Sequence, residues 1–329
     1  MPNALHVKFC PERFAWPSAG IHISGGSMSQ TKSSCSSCSS KSSLGTIQDS
    51  PESKLERQDK VIASTLSKIK YKLFVMSGKG GVGKSSVSTN LAAALAIKGY
   101  KVGLLDVDIH GPSVPHLLGL TGLLDIDPEK GIQPKRYSEN LAVVSMESLL
   151  KDPDQAVLWK GPMKTSAIRQ FVSDVDWGEL DFLVIDSPPG TGDEPMAVLK
   201  TVPDALSIVI TTPQEISLAD VRKSINFLQY VKANILGVVE NMSGLICPHC
   251  AQKIDLFKRG GGEELAKKYS LEFLGAIPLD PVTVVAGDLG KPVVMLDIEC
   301  PAKTALLKLA DRVIAAAENS LEAVSSSHV

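Results

Sequence analysis

An α/β fold, a doubly wound and mostly parallel sheet preceded by a disordered tail, is predicted by two features of the sequence. From Tyr71 onward, short apolar runs alternate with stretches of helical periodicity, as in a parallel sheet covered on both faces. A glycine-rich segment then joins the first run to the first helical stretch, the strand–turn–helix order of a phosphate-holding loop. The candidate strands are residues 72–76, 102–106, 141–146, 182–186, 205–210 and 235–239. Val87, Leu91, Ala94, Leu95 and Lys98 have helical spacing, as do Leu218, Val221, Ile225, Leu228 and Val231. A last long helix starts near Pro301 and carries Leu306, Leu309, Val313 and Ile314. No internal repeat is visible.

The 329 residues are 43% hydrophobic and 21% charged, enough to bury the core of one enzyme-sized domain. A net charge of -2 gives no global positive field for nucleic acid or anionic lipid, and no apolar run reaches the ~18 residues of a membrane span. Neither nucleic acid nor membrane is expected as a partner. Residues 1–55 read as a flexible Ser/Cys-containing tail, because the serine-rich stretch 33–43 offers too little apolar surface to offset ordering entropy. Residues 56–320 form the folded domain and 321–329 a C-terminal tail. Glu12 is the sole acid in the first 30 residues, which suits a transit peptide, whereas only two basic residues, Lys8 and Arg13, do not. Met28, followed by Ser-Gln-Thr-Lys, has the form of an alternative start. The expected location is cytoplasmic, with the mitochondrial matrix as the alternative.

Gly78-Lys79-Gly80-Gly81-Val82-Gly83-Lys84-Ser85 fits G-x-x-x-x-G-K-[ST] after an apolar strand and before a helix. Its glycines let backbone N–H groups close round phosphates, Lys84 faces the β and γ oxygens, and the Ser85 hydroxyl can ligate Mg²⁺. Lys79 is an additional lysine early in the loop. There it points away from the nucleotide of its own chain and can reach a phosphate held by a facing subunit, as an arginine finger does in trans; the alternative is a solvated lysine. Asp106 and Asp108 follow one strand and Asp186 ends another, ahead of Ser187-Pro188-Pro189-Gly190-Thr191-Gly192-Asp193. Asp186 is the better Mg²⁺ candidate and Asp108 is better placed to orient the attacking water, with helix-cap or turn roles as alternatives.

Four of the six cysteines form two Cys-x-x-Cys pairs, Cys35/Cys38 and Cys247/Cys250. That spacing favours metal or redox chemistry over a disulfide scaffold. Cys247-Pro248-His249-Cys250 supplies half of a four-thiolate site, and a twofold dimer completes it, the same symmetry that Lys79 calls for. Such a site can hold a [4Fe-4S] cluster or zinc, and free or redox-active thiols remain a third reading. His249 is a polar loop residue that can also ligate. Cys10, Cys35 and Cys38 are a loose metal set in the tail, and Cys300 is a packing residue.

Together these residues are recognisable. Residues 55–317 resemble the Mrp family of ATP-dependent iron-sulfur cluster carriers, within the MinD/ParA group of deviant Walker A P-loop ATPases. The likeness rests on residues 78–86, on Asp106-Val-Asp-Ile-His-Gly-Pro-Ser113, on Trp159-Lys-Gly-Pro-Met163, on residues 186–193, and on Glu240-Asn-Met-Ser243 ahead of the cysteine pair. It implies that Lys79 contacts the partner's nucleotide, that Lys84, Ser85 and Ser86 bind phosphate and Mg²⁺, and that Asn241 contacts the adenine. It further implies that Asp108 belongs to a first switch and that Asp186 ends the second acidic strand. Cys247 and Cys250, shared across a homodimer, would carry a transferable [4Fe-4S] cluster from an upstream donor to apo-proteins, gated by slow ATP hydrolysis. Three tail cysteines depart from the four-cysteine N-terminal site of eukaryotic relatives.

Two other uses of such an ATPase are weighed against this one. A partitioning or positioning ATPase calls for a basic surface or a basic amphipathic C-terminal helix, and residues 315–329 are acidic to neutral. A targeting ATPase with a dimer zinc site calls for a methionine-rich groove, and the eight methionines are scattered.

Overall fold

Residues 69–77 bury their side chains on both faces: Leu73 and Val75 on one, Phe74 and Met76 on the other. A strand with no polar face must lie inside a sheet covered on both sides. The computed structural model describes residues 51–108, 111–149, 161–247, 250 and 252–326, all within one unit that begins at residue 49. Cys10, Met28, Cys35, Cys38, Ile109, His110, Trp159, Lys160, Pro248 and His249 lie outside the described residues.

In chain order the elements are α1 (Pro51–Ser67), β1 (Ile69–Ser77), α2 (Lys84–Ile97), β2 (Val102–Asp106), α3 (Val114–Leu117), β3 (Asp125–Asp127), β4 (Gly131–Gln133), β5 (Lys135–Ser138) and β6 (Leu141–Ser145). They continue with α4 (Gly161–Ser173), β7 (Leu180–Asp186), α5 (Asp193–Thr201), β8 (Leu206–Thr211), α6 (Glu215–Tyr230) and β9 (Asn234–Ile246). The last are β10 (Lys253–Ile254), α7 (Gly261–Lys268), β11 (Phe273–Leu279), α8 (Pro281–Asp288) and α9 (Pro301–Ser326). The main sheet runs β10-β9-β8-β1-β7-β2-β6-β5, with β11 also on β9. Strands β11, β9, β8, β1, β7, β2 and β6 run parallel to one another, whereas β5 is antiparallel to β6 and β10 to β9. β3 and β4 form a separate hairpin.

Helices α2 and α9 cover one face of the sheet, and α1, α4, α5 and α6 the other, so the core consists of two apolar layers. From β1 the chain crosses to β2 on one side, and from β7 it crosses back to β8 on the other. The order therefore reverses beside β1, and such a switch opens a crevice at the C-terminal ends of the strands.

All six candidate strands form, with some shifted ends. β9 extends to Ile246 because its polar residues Glu240 and Asn241 find buried hydrogen-bond partners on opposite faces. β11 carries Gly275 and Pro278, which read as strand breakers, and it is tolerated at the outer side of β9 with shifted register. α1 begins at Pro51, inside the segment assigned to the tail, and buries Ile62 and Leu66. α9 passes the boundary at 320 and runs to Ser326, since its last turns contain no glycine or proline. No described helix is long and apolar enough to cross a membrane.

Phe182 ties β7 into the first layer: it is fully buried, stacks on Tyr71 at 4.9 Å and meets Tyr100 edge-on at 5.2 Å. Phe182→Ala is expected to cost about 3–5 kcal/mol of stability, read from the shift of the urea unfolding midpoint.

Candidate functional site

The loop between β1 and α2 lies at the sheet's switch point. Gly83 stands at the N-terminus of α2 with φ of 79°, and a Cβ there would come within 2.3 Å of Asn241 Nδ2, so any other residue would be strained and would displace the Asn241 amide. Asn241 Nδ2 donates to Val82 O at 2.8 Å, which fastens β9 to the loop from outside. On the other side Ser187 N donates to Val75 O and Gly190 N to Ser77 O, so residues 187–190 run beside the loop.

Lys84 and Asp186 meet at the base of this loop. The ammonium lies 2.8 Å from Asp186 Oδ1 and 3.2 Å from Ser85 Oγ, with Lys84 nearly buried and Asp186 fully so. Ser88, one helical turn beyond Lys84, donates to the same Asp186 oxygen at 2.7 Å. Asp186 Oδ2 is buried and accepts no hydrogen bond.

Asp106 pairs in register with Asp186 on the neighbouring strand and is also fully buried. Burial first, and the Asp186 charge second, push its carboxyl well above the usual range. It accepts from Ser145 Oγ at 3.1 Å and from Asp108 N at 3.0 Å. Asp108 follows at the strand end, where its Oδ1 accepts from Gly111 N at 3.2 Å. The geometry thus brings residues 78–86, Asp106, Asp108, Asp186 and Asn241 to one end of the sheet. Lys79 is half-buried there, and no described carboxylate forms an ion pair with its ammonium.

Beside the loop is a cavity of about 250 Å³ lined by Gly83, Ser86, Asn241, Met242, Pro278 and Thr283, among others. The Thr283 hydroxyl is buried without a hydrogen-bond partner. The described end of the Trp159–Met163 motif reaches this end of the sheet too: a Cβ on Gly161 would lie 2.9 Å from Asp193 Oδ2, and Lys164 pairs with Glu194.

The cysteine pair lies elsewhere. Cys247 N donates to Gln252 O at 2.9 Å and Ile246 pairs with Lys253, so Cys247 and Cys250 sit on the β9–β10 hairpin. Cys247 is half-buried and Cys250 exposed. Neither cysteine lines the cavity beside the loop, which β9 reaches through Asn241 and Met242. Among the described residues no group of three His, Cys, Asp or Glu gathers there. Cys300 is buried, which raises its thiol pKa, and it accepts from Lys303 N at 3.4 Å, as suits a packing residue.

The sequence reading passed over Ser88, Ser145 and Thr283. Ser88 had a signal, since residues four apart on a helix share a face with Lys84. Ser145 and Thr283 had none, because their partners come from other elements.

A family model described as ParA, NUBPL iron-transfer P-loop NTPase, matches residues 68–314. The iron-sulfur cluster carrier protein of Methanocaldococcus jannaschii is 47% identical over 269 residues, 82% of this chain and 92% of that protein. The cytosolic Fe-S cluster assembly factor CFD1 of Kluyveromyces lactis is 50% identical over 228 residues, 67% of this chain and 80% of that protein. Among solved structures, a nucleotide-binding protein of Archaeoglobus fulgidus in complex with ADP superposes with a TM-score of 0.64 at 38% identity, over 74% of this chain and 98% of its own. The septum site-determining protein MinD of Pyrococcus horikoshii shares the fold, with a TM-score of 0.55 at 24% identity, over 74% and 96% of the two chains.

The buried acid pair sets a pH dependence in the nucleotide-free protein. Because folding raises the Asp106 pKa, its contribution to stability is full below the ordinary value near 3.8 and is lost as pH rises through the folded value. Asp106→Asn carries no such charge. Its urea midpoint is expected to exceed that of the native chain near neutral pH, with the advantage shrinking to nothing as the buffer is taken down to acid.

Proposed function

We propose, starting from the fact that the chain belongs to the ParA-type NUBPL iron-transfer P-loop NTPase family, that it binds and slowly hydrolyses Mg·ATP and carries a [4Fe-4S] cluster between two copies of itself for delivery to apo-proteins. The observation that carries this reading is the position of the two thiols. Cys247 and Cys250 stand at the far end of the strand whose middle is fastened to the phosphate loop, and two thiolates are half of what a cubane needs.

The nucleotide site fits the cofactor expected of it. Asp186 Oδ1 faces Lys84 while its buried Oδ2 accepts no hydrogen bond, the kind of oxygen that a hydrated cation satisfies. Ser85 and Asp186 would hold Mg²⁺, which neutralises charge on the phosphates. Residues 78–86 cradle the phosphates through backbone N–H groups, and the start of α2 adds its dipole. Lys84 exchanges its bond to Asp186 for the phosphate oxygens. Asp108 orients the attacking water, while Asn241 and the 250 Å³ cavity hold the base. Lys79, without an acidic partner among the described residues, reaches the nucleotide of the facing copy.

The iron-sulfur cluster is cargo in this scheme. An upstream donor loads it onto the paired hairpins, and apo-proteins receive it. The cytosolic assembly factors among the relatives support a cytoplasmic site of action.

Anaerobic reconstitution with iron and sulfide is expected to give about four irons and four sulfides per dimer, with broad absorption near ~400 nm. Cys247→Ser and Cys250→Ser should each lose the iron while still binding ATP. Zinc alone, or equal iron retention in the variants, would sink the bridging site. Lys79→Ala is expected to slow hydrolysis at least ~10-fold with little loss of ATP affinity, and a wild-type rate would remove the cross-subunit role.

A further inference from the structure

The geometry points to Glu240 as the positioning residue through which nucleotide occupancy reaches the Cys247/Cys250 hairpin, an inference whose biological use rests on the carrier reading above. Glu240 is a fully buried carboxylate with no ion-pair partner among the described residues. Instead it accepts three hydrogen bonds. Gly260 N donates to Oε1 at 3.0 Å, Gly262 N to Oε2 at 2.6 Å, and Ser243 Oγ to Oε1 at 2.5 Å. Gly260 and Gly262 begin α7, where free N–H groups and the helix dipole suit a negative charge.

These donors lie on both sides of the hairpin. Ser243 belongs to the strand that leads out to Cys247, and residues 260–262 belong to the chain that returns from it. One carboxylate therefore clasps the hairpin at its base. The fit is tight, since a Cβ on Gly262 would approach Glu240 Cβ to 2.9 Å. On another side the hairpin base borders open space: Ser243, Gly244, Ile246 and Lys253 line a cavity of about 690 Å³ between β9, β11 and α9. The Glu240 bonds place the base together with the pairing of Leu245 to Ile254 and Leu279.

The other half of the link is the adjacent residue. Neighbours on a strand point to opposite faces: Glu240 turns to α7, and Asn241 turns to the phosphate loop, where it holds Val82 O. Asn241 and Met242 also line the cavity beside the loop. Just beyond, Met242 and Gly244 have φ of 57° and 72°, so the regular strand gives way to a bent segment between the loop contact and the hairpin. A ligand that presses on Asn241 and Met242 shifts the strand at the point where Ser243 and Glu240 are bonded. The clasp carries that shift to both legs of the hairpin.

Backbone hydrogen exchange tests this on the full chain without any cluster, so the result does not depend on iron. In the native protein, ATP with Mg²⁺ is expected to change the exchange rate of peptides covering residues 243–257 by about fivefold or more, the low end of ordinary site-to-site coupling. Glu240→Gln keeps the shape but turns one acceptor into a donor facing a backbone N–H. It is expected to bind ATP and to exchange at the same hairpin rate with and without nucleotide. A merely structural role predicts something different: faster exchange in both states with the nucleotide-dependent difference intact, and that result would overturn the inference. So would a native hairpin indifferent to ATP. Ser243→Ala, which removes one of the three bonds and spares the fold, should shrink the difference even if Glu240→Gln fails to fold; an unchanged difference overturns the inference. A hairpin that responds through Glu240 in a protein that takes up no iron supports the link and rejects the carrier reading.

Discussion

The buried contact between Lys84 and Asp186 is the constraint around which the rest of the site is arranged. Two charges out of water are tolerable only with good geometry and further hydrogen bonds, and here Ser85 and Ser88 provide them. The contact requires β1 and β7 to be adjacent and parallel, so that the first residue of α2 and the last of β7 meet. The sheet order supplies this by placing β7 between β1 and β2 although it comes later in the chain. The same order lays Asp106 beside Asp186, and two carboxylates so close in a dry site cannot both be charged without cost. Burial and the neighbouring carboxylate push the Asp106 pKa well above the usual range.

From that centre, β9 runs outward to the thiol pair. It is the longest strand of the main sheet, and it is fixed by β8 along its first half, by β11 from Val238 to Leu245, by the Asn241 contact to the loop, and by the Glu240 clasp on α7. Beyond the clasp it projects as a two-stranded hairpin with the thiols at its end. A metal or cluster held there would be exposed enough to hand over, while remaining joined through a single strand to the loop that holds phosphate. Under the proposed link, separation of the two sites along one element would let chemistry at one be sensed at the other without the ligands touching.

Much of this was legible in the sequence, residue by residue. The loop from Gly78 to Ser85 declares itself because phosphate binding dictates both the residue types and their spacing, and the six strands declare themselves because burial on two faces leaves runs that are mostly apolar. The Cys-x-x-Cys pair was equally plain. What was not legible follows a common physical pattern. Ser145 and Thr283 look like ordinary surface residues until another strand or helix buries them. β11 was hidden by Gly275 and Pro278, whose strand-breaking tendency is a local property that an outer position in the sheet overrides. The end of β9 was placed too early because Glu240 and Asn241 are polar, and only their distant partners make such residues acceptable inside a sheet.

The sequence by itself thus determined the chemistry available to this protein: a phosphate loop with two lysines, acids at strand ends, and a thiol pair, each written in contiguous residues because local backbone geometry creates its function. The tertiary structure alone decided which of these meet. It joined Lys84 to Asp186, kept the thiols away from the loop, and gave Glu240, one polar residue among several, the donors of a helix that begins twenty residues later. Contacts between residues far apart in the chain depend on the order of strands in the sheet, and no short stretch of sequence encodes that order.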